Sequence, residues 1–134
     1  MLEMKSEDDW EDYLSSDMPI VLQAGADWCG PCRMLKPLVT KAAKAYEGKV
    51  QYVYMDIDKF PNIAQMLEIQ SIPKTFMLYK GDLVDQFGGV PKDAEKDITA
   101  FFNKAQGFAD GSDEGPVQTK KAKEEDSTAQ KSGL

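Results

Sequence analysis

The sequence predicts an α/β protein built on one central mixed sheet with helices on both of its faces. Three observations carry this. Short runs rich in β-branched and aromatic residues alternate with segments of helical period from Met1 to about Leu67, the pattern of parallel crossover units. Two further runs are joined around Lys80-Gly81-Asp82, a hairpin signal, so an antiparallel pair follows. A last helical pattern then closes the series. The expected order is β-α-β-α-β-α-β-β-α.

Each element has its own signal. Met1 to Met4 reads as a short strand with Leu2 and Met4 on one face. Ser6 with Asp9 resembles a capping box, and Trp10, Tyr13 and Leu14 form the apolar stripe of the helix that follows. Asp17-Met18-Pro19 breaks that helix, and Pro19 to Gln23 reads as a buried strand. A helix opens at Pro31 and carries Met34, Leu35, Leu38, Val39, Ala42, Ala45 and Tyr46, with Pro37 inside it as a kink. Glu47-Gly48 ends it. Val50 to Ile57 is a strand, Pro61-Asn62 opens a short helix through Leu67, and Thr75 to Tyr79 and Leu83 to Phe87 are the hairpin strands. The final helix, about Lys92 to Ala105, buries Ile98, Phe101 and Phe102. Met55, Met66 and Met77 read as core. From Gly107 the composition turns polar and poor in apolar groups, too poor to offset chain entropy. The expected division is therefore a domain over residues 1–106 and a disordered tail over 107–134.

Composition removes several function classes. The chain has 134 residues, a net charge of −7, and 42% hydrophobic and 29% charged residues, which describes one ordinary globular domain. Its acidic balance argues against nucleic acid and anionic membrane as partners. No apolar run has the length of a membrane span. The acidic N-terminus lacks the zones of a secretory signal. There is no histidine, so Ser-His, Cys-His and His-metal catalysis are excluded.

The chemistry lies in Trp28-Cys29-Gly30-Pro31-Cys32, which holds both cysteines of the chain at a strand-to-helix junction. Such a pair is read first as a redox dithiol. It closes too small a loop for a structural bridge to contribute much. A metal role would need carboxylates or a second copy to complete the ligand set, so no metal is expected. Pro31 suits the first turn of a helix, where its missing N–H is not needed. Cys29 then lies at the helix N-terminus, where free N–H groups and the helix dipole favour thiolate, the nucleophilic form. Cys32 lies one turn further in and is expected to be the less exposed resolving thiol.

These residues resemble the thioredoxin family, over roughly Met1 to Gln106. The pentapeptide Trp28 to Cys32 matches the family's active-site sequence in full. Ile72-Pro73 stands where the family has its cis-proline, Pro37 where its long helix is kinked, Gly81 at the hairpin glycine, and Gly89 at the glycine lining the substrate groove. The resemblance implies a thioredoxin fold and a groove of Trp28, Gly30, Pro31, Ile72, Pro73 and Gly89 that receives an extended peptide. It implies a protein-disulfide reductase with catalytic Cys29 and Cys32 and a redox-active disulfide between them. It implies no bound cofactor, with NADPH acting only indirectly through thioredoxin reductase. Partners are then disulfide-containing client proteins and that reductase. The expected compartment is the cytoplasm, or a mitochondrion or other organelle if a presequence has been removed.

Three positions depart from the pattern and are expected to modulate the chemistry. Gln23 stands where the family has a buried aspartate, and Tyr54 where it has the accompanying lysine, so a neutral pair replaces a charged one. Gln23 cannot accept the Cys32 proton. Lys74, where a threonine is usual, adds positive charge beside the groove. The replaced pair and the tail also favour a second reading, a thioredoxin-fold structural or adaptor subunit of a larger assembly whose thiols are little used. The intact pentapeptide opposes it.

Overall fold

A computed structural model describes residues 2–110. The elements follow in the order expected: β1 (Leu2–Glu3), α1 (Glu7–Leu14), β2 (Ile20–Gly25), α2 (Gly30–Lys44), β3 (Gln51–Asp56), α3 (Pro61–Met66), β4 (Lys74–Tyr79), β5 (Asp82–Gly88) and α4 (Ala94–Ala109). The sheet order is β1-β3-β2-β4-β5. β1 and β2 run parallel to β3 on either side of it, and β4 and β5 are antiparallel. This is the expected mixed sheet, and its central strand pair is the unit that positions the site.

Local chemistry sets the element ends. The Asp9 carboxylate accepts the Lys5 and Ser6 backbone N–H groups at 2.8 and 3.1 Å, closing the start of α1 against its own first turn. Lys80 and Gly81, at φ +51° and +87°, give the hairpin the left-handed pair that a tight turn between twisted strands needs. β2 runs two residues beyond the expected Gln23, to Gly25. α2 runs unbroken through Pro37, whose ring removes one helical donor but leaves the helix continuous.

The period-2 alternation of the strands separates two cores. Ile20, Leu22, Ala24, Val53, Met55 and Phe76 face α1 and α3, with Trp10, Tyr13 and Ile63 against them. Val21, Tyr52 and Met77 face α2 and α4, with Leu35, Val39, Ile98 and Phe102 against them. Met55 and Met77 are buried as expected, but Met66 is exposed. The helical period explains the difference: in the short α3, Ile63 and Leu67, four residues apart, take the inward positions.

The last helix also differs from its expected span. It passes the Gln106 boundary and carries Phe108, which packs on Tyr79 with ring centroids 5.2 Å apart. Glycine at 107 marks a break in composition, yet burial of one aromatic ring holds the extra turn. The remainder of the expected tail, from residue 111, lies outside the described residues. The helix ends with Asp110, whose carboxylate lies 3.9 Å from the Lys49 ammonium, just before β3 begins.

Candidate active site

The parallel strands β2 and β3 end together, Gly25 opposite Asp56, and the chain leaves β2 through Ala26, Asp27 and Trp28 into α2. The Cys29 N–H donates to the Ala26 carbonyl at 3.1 Å, which tightens this loop. Cys29 is the N-cap of α2, and its sulfur accepts the Cys32 backbone N–H at 3.2 Å. Pro31 follows at the helix start, where its ring costs no hydrogen bond. One turn brings Cys32 under Cys29, and the two form a disulfide with Cα atoms 5.3 Å apart. Cys29 is 5% exposed and Cys32 1%.

The expected groove residues gather around this bond. Ile72 packs on the cluster of Ala26, Cys29 and Cys32. The Ile72–Pro73 peptide bond is cis, and the Pro73 carbonyl accepts the Gly89 N–H at 2.9 Å, tying the loop before β4 to the end of β5. Gly89 has φ +71°, a conformation open to glycine, and a Cβ there or at Gly30 would point into open space. Gly30 and Pro31 are exposed at the rim. Trp28, next to Cys29 in the chain, is 65% exposed, and Met34 on α2, expected in the apolar stripe of that helix, is 62% exposed.

Sequence reasoning missed the residue that holds Trp28. Its indole N–H donates to the Asp58 carboxylate at 2.8 Å, while the Asp58 backbone N–H donates to the Asp56 carboxylate, also at 2.8 Å. An acid in the loop after a strand gives no pattern of its own, and only the parallel register brings it to the tryptophan.

Beneath the sulfurs, the departures from the family pattern take unexpected partners. Gln23 is fully buried. Its amide oxygen accepts the Tyr52 hydroxyl at 2.6 Å, and its amide nitrogen donates to the Cys32 carbonyl at 3.4 Å. Tyr54 lies opposite Gln23 in the strand register, but the two side chains are not a hydrogen-bonded pair. Burial pushes the phenol of Tyr52 well above its ordinary range. Lys74 is half-buried with its stem along Gly88, a 3.8 Å approach of Cδ to the position of a Cβ there, which brings its charge to the β5 side of the groove.

Thr75 lies opposite Gln23 on the other side, fully buried, and its hydroxyl has no hydrogen-bond partner among the described residues. A hydroxyl desolvated without compensation lowers stability. Thr75→Val keeps the branched shape and removes the hydroxyl. It is expected to raise the unfolding free energy by about 1–2 kcal/mol, read as a higher urea midpoint at unchanged slope. A lower midpoint would show that the hydroxyl is satisfied and that its removal leaves a gap.

Among the described residues no three metal-ligating side chains stand together, and no helix is long and apolar enough to cross a membrane. A family model described as Thioredoxin matches residues 1–104. The chain is 46% identical over 84 residues to a thioredoxin of Synechocystis sp., covering 61% of this chain and 78% of that protein. It is 36% identical over 99 residues to the chloroplastic thioredoxin M4 of Arabidopsis thaliana, covering 72% of this chain and 51% of that protein. With the mitochondrial thioredoxin of Bos taurus it shares 36% identity over 100 residues, 74% of this chain and 59% of that protein. Among solved structures, the thioredoxin of Malassezia sympodialis superposes with a TM-score of 0.68 at 24% identity, over 79% of this chain and 91% of that one, a likeness of fold.

Proposed function

The chain belongs to the thioredoxin family and is a thiol–disulfide oxidoreductase of the disulfide-reductase type, and from that premise we propose how its residues divide the work. Cys29 is the attacking thiolate. It displaces one sulfur of a client disulfide, so the client S–S bond breaks, a Cys29–client bond forms, and the released client thiolate takes up a proton from water. Cys32 then loses its proton and attacks the Cys29 sulfur. The mixed disulfide breaks, the client leaves with both its sulfurs reduced, and the Cys29–Cys32 bond forms. Two electrons pass to the client in each cycle. A thioredoxin reductase returns them from NADPH, which does not itself bind here.

The observation that carries the assignment is the position of the Cys29 sulfur at the N-cap of α2, where it accepts the Cys32 N–H. A donor and the positive helix end at that sulfur favour its thiolate, while Cys32 is sealed beneath it. The rim of Trp28, Gly30, Pro31, Ile72, Pro73 and Gly89 receives the client as an extended segment. Lys74, beside Gly88, favours client segments with acidic residues. The working compartment is one kept reducing, assigned here as the cytoplasm, and the segment from residue 111 is given no part in the chemistry.

Insulin reduction by the purified protein tests this, first with dithiothreitol and then with thioredoxin reductase and NADPH. Turnover is expected in both. Turnover with dithiothreitol alone would overturn the assigned reductase, and turnover in neither would overturn the division of roles.

A further inference from the structure

The resolving thiol needs help that Gln23 does not give. Gln23 has no titratable proton, and its amide is already committed to Tyr52 and to the Cys32 carbonyl. A buried thiol with nothing to stabilise its anion ionises reluctantly. Another polar group borders the space beside that sulfur, the Tyr54 hydroxyl. A Cβ placed on Gly25 would stand 2.6 Å from the Tyr54 hydroxyl and 3.0 Å from the Cys32 sulfur, so both atoms converge on the space this glycine leaves empty. Tyr54 is 5% exposed, and among the described residues its hydroxyl has no hydrogen-bond partner. The phenol O–H, uncommitted to any described residue, and the buried sulfur therefore border the same small space at Gly25, with no hydrogen bond between them in the disulfide form.

The charged groups around it decide which way the proton is shared. Lys36, four residues after Cys32 on α2, holds its ammonium 4.1 Å from the centre of the Tyr54 ring. A cation over the ring draws electron density from the phenol and strengthens its O–H as a donor. Burial first, then the carboxylates of Asp56 on β3, Asp27 in the loop after β2 and Glu3 on β1, raise the Tyr54 phenol above its ordinary range. Near neutral pH it therefore stays protonated, a donor and not a base.

We infer that Tyr54, admitted by the missing side chain at Gly25, is the catalytic hydrogen-bond donor to the Cys32 thiolate during release of the client. The inference rests on Cys32 as resolving thiol and adds what stabilises it. Cys32 gives its proton to water, the Tyr54 O–H turns onto the anion as it forms, and the anion then attacks the Cys29 sulfur. No proton passes to Tyr54. The aspartate's place is thus filled by a donor from the neighbouring strand that lowers the cost of the anion, instead of by a base that removes the proton.

The test is the titration of Cys32 in the fully reduced protein, followed by the carbon-13 shift of its Cβ, in the parent, Tyr54→Phe and Lys36→Met. Tyr54→Phe keeps the ring and its place under Lys36 and removes only the hydroxyl. It is expected to raise the Cys32 midpoint by about one pH unit and to slow resolution of a Cys29 mixed disulfide about tenfold at pH 7, the cost of one hydrogen bond to a charged form. Lys36→Met is expected to give a smaller rise. Coincident Cys32 curves in the parent and Tyr54→Phe overturn the inference. So does a shift present in Lys36→Met and absent in Tyr54→Phe, which would assign the effect to the ammonium. Insulin reduction by the parent, run alongside, tests the redox assignment separately, because it proceeds whether or not Tyr54 contributes.

Discussion

Cys32→Ser is expected to turn the protein from a catalyst into a trap. Cys29 keeps its place at the start of α2 and still attacks client disulfides, but the serine hydroxyl cannot displace the client sulfur. Each molecule should stop at the mixed disulfide, and insulin reduction should fall roughly a hundred- to thousandfold. The trapped species is separable by non-reducing electrophoresis and released by dithiothreitol. Cys29→Ser should lose the same activity and trap nothing, because Cys32 is sealed below the surface. Equal trapping by both variants would reverse or erase the distinction between the two thiols.

The largest expected loss of stability is at Phe102. This ring is fully buried in the core shared by α2, α4 and the sheet, and it stacks on Tyr46 with centroids 5.5 Å apart. Phe102→Ala removes a whole ring from a close-packed core and leaves a cavity in its place. The expected cost is about 3–5 kcal/mol, a large share of the roughly 5–15 kcal/mol that holds a domain of this size. Urea unfolding followed by far-UV circular dichroism measures it. A loss below about 1 kcal/mol would mean that α4 closes the gap by shifting toward the sheet.

Much of this was readable from the chain because it is written in local patterns. Alternating period, the Lys80-Gly81 turn, the acid at Asp9 and Pro31 at a helix start each act within a few residues, and they fixed the order of all nine described elements. The pentapeptide marked the thiols in the same way. What escaped reading depends on register between distant segments. Gln23 was expected to answer to Tyr54, its neighbour across β2 and β3, yet its oxygen takes the Tyr52 hydroxyl, 29 residues away. Asp58 was invisible as the partner of Trp28 for the same reason. Gly25 gave no signal at all, since its importance lies in two atoms that approach it from β3 and α2. The end of α4 was misjudged because glycine at 107 argues locally for a stop, while Phe108 finds a ring on β4. Met66 was misread because a six-residue helix offers too few turns for its inward face to be told from composition.

The place where α4 ends has a consequence for handling the protein. Asp110 closes on Lys49, at the end of the sheet where β3 begins, whereas the sulfurs lie past the opposite end, beyond Gly25 and Asp56. The six residues of β3 separate the two ends by about 20 Å, at roughly 3.3 Å per strand residue. An electrode, a bead or a fused domain joined after Asp110 would grip the molecule by its base and leave the dithiol facing outward. Tethered in that orientation, every copy would offer its reactive face to the same side, and a monolayer would keep its access to large clients.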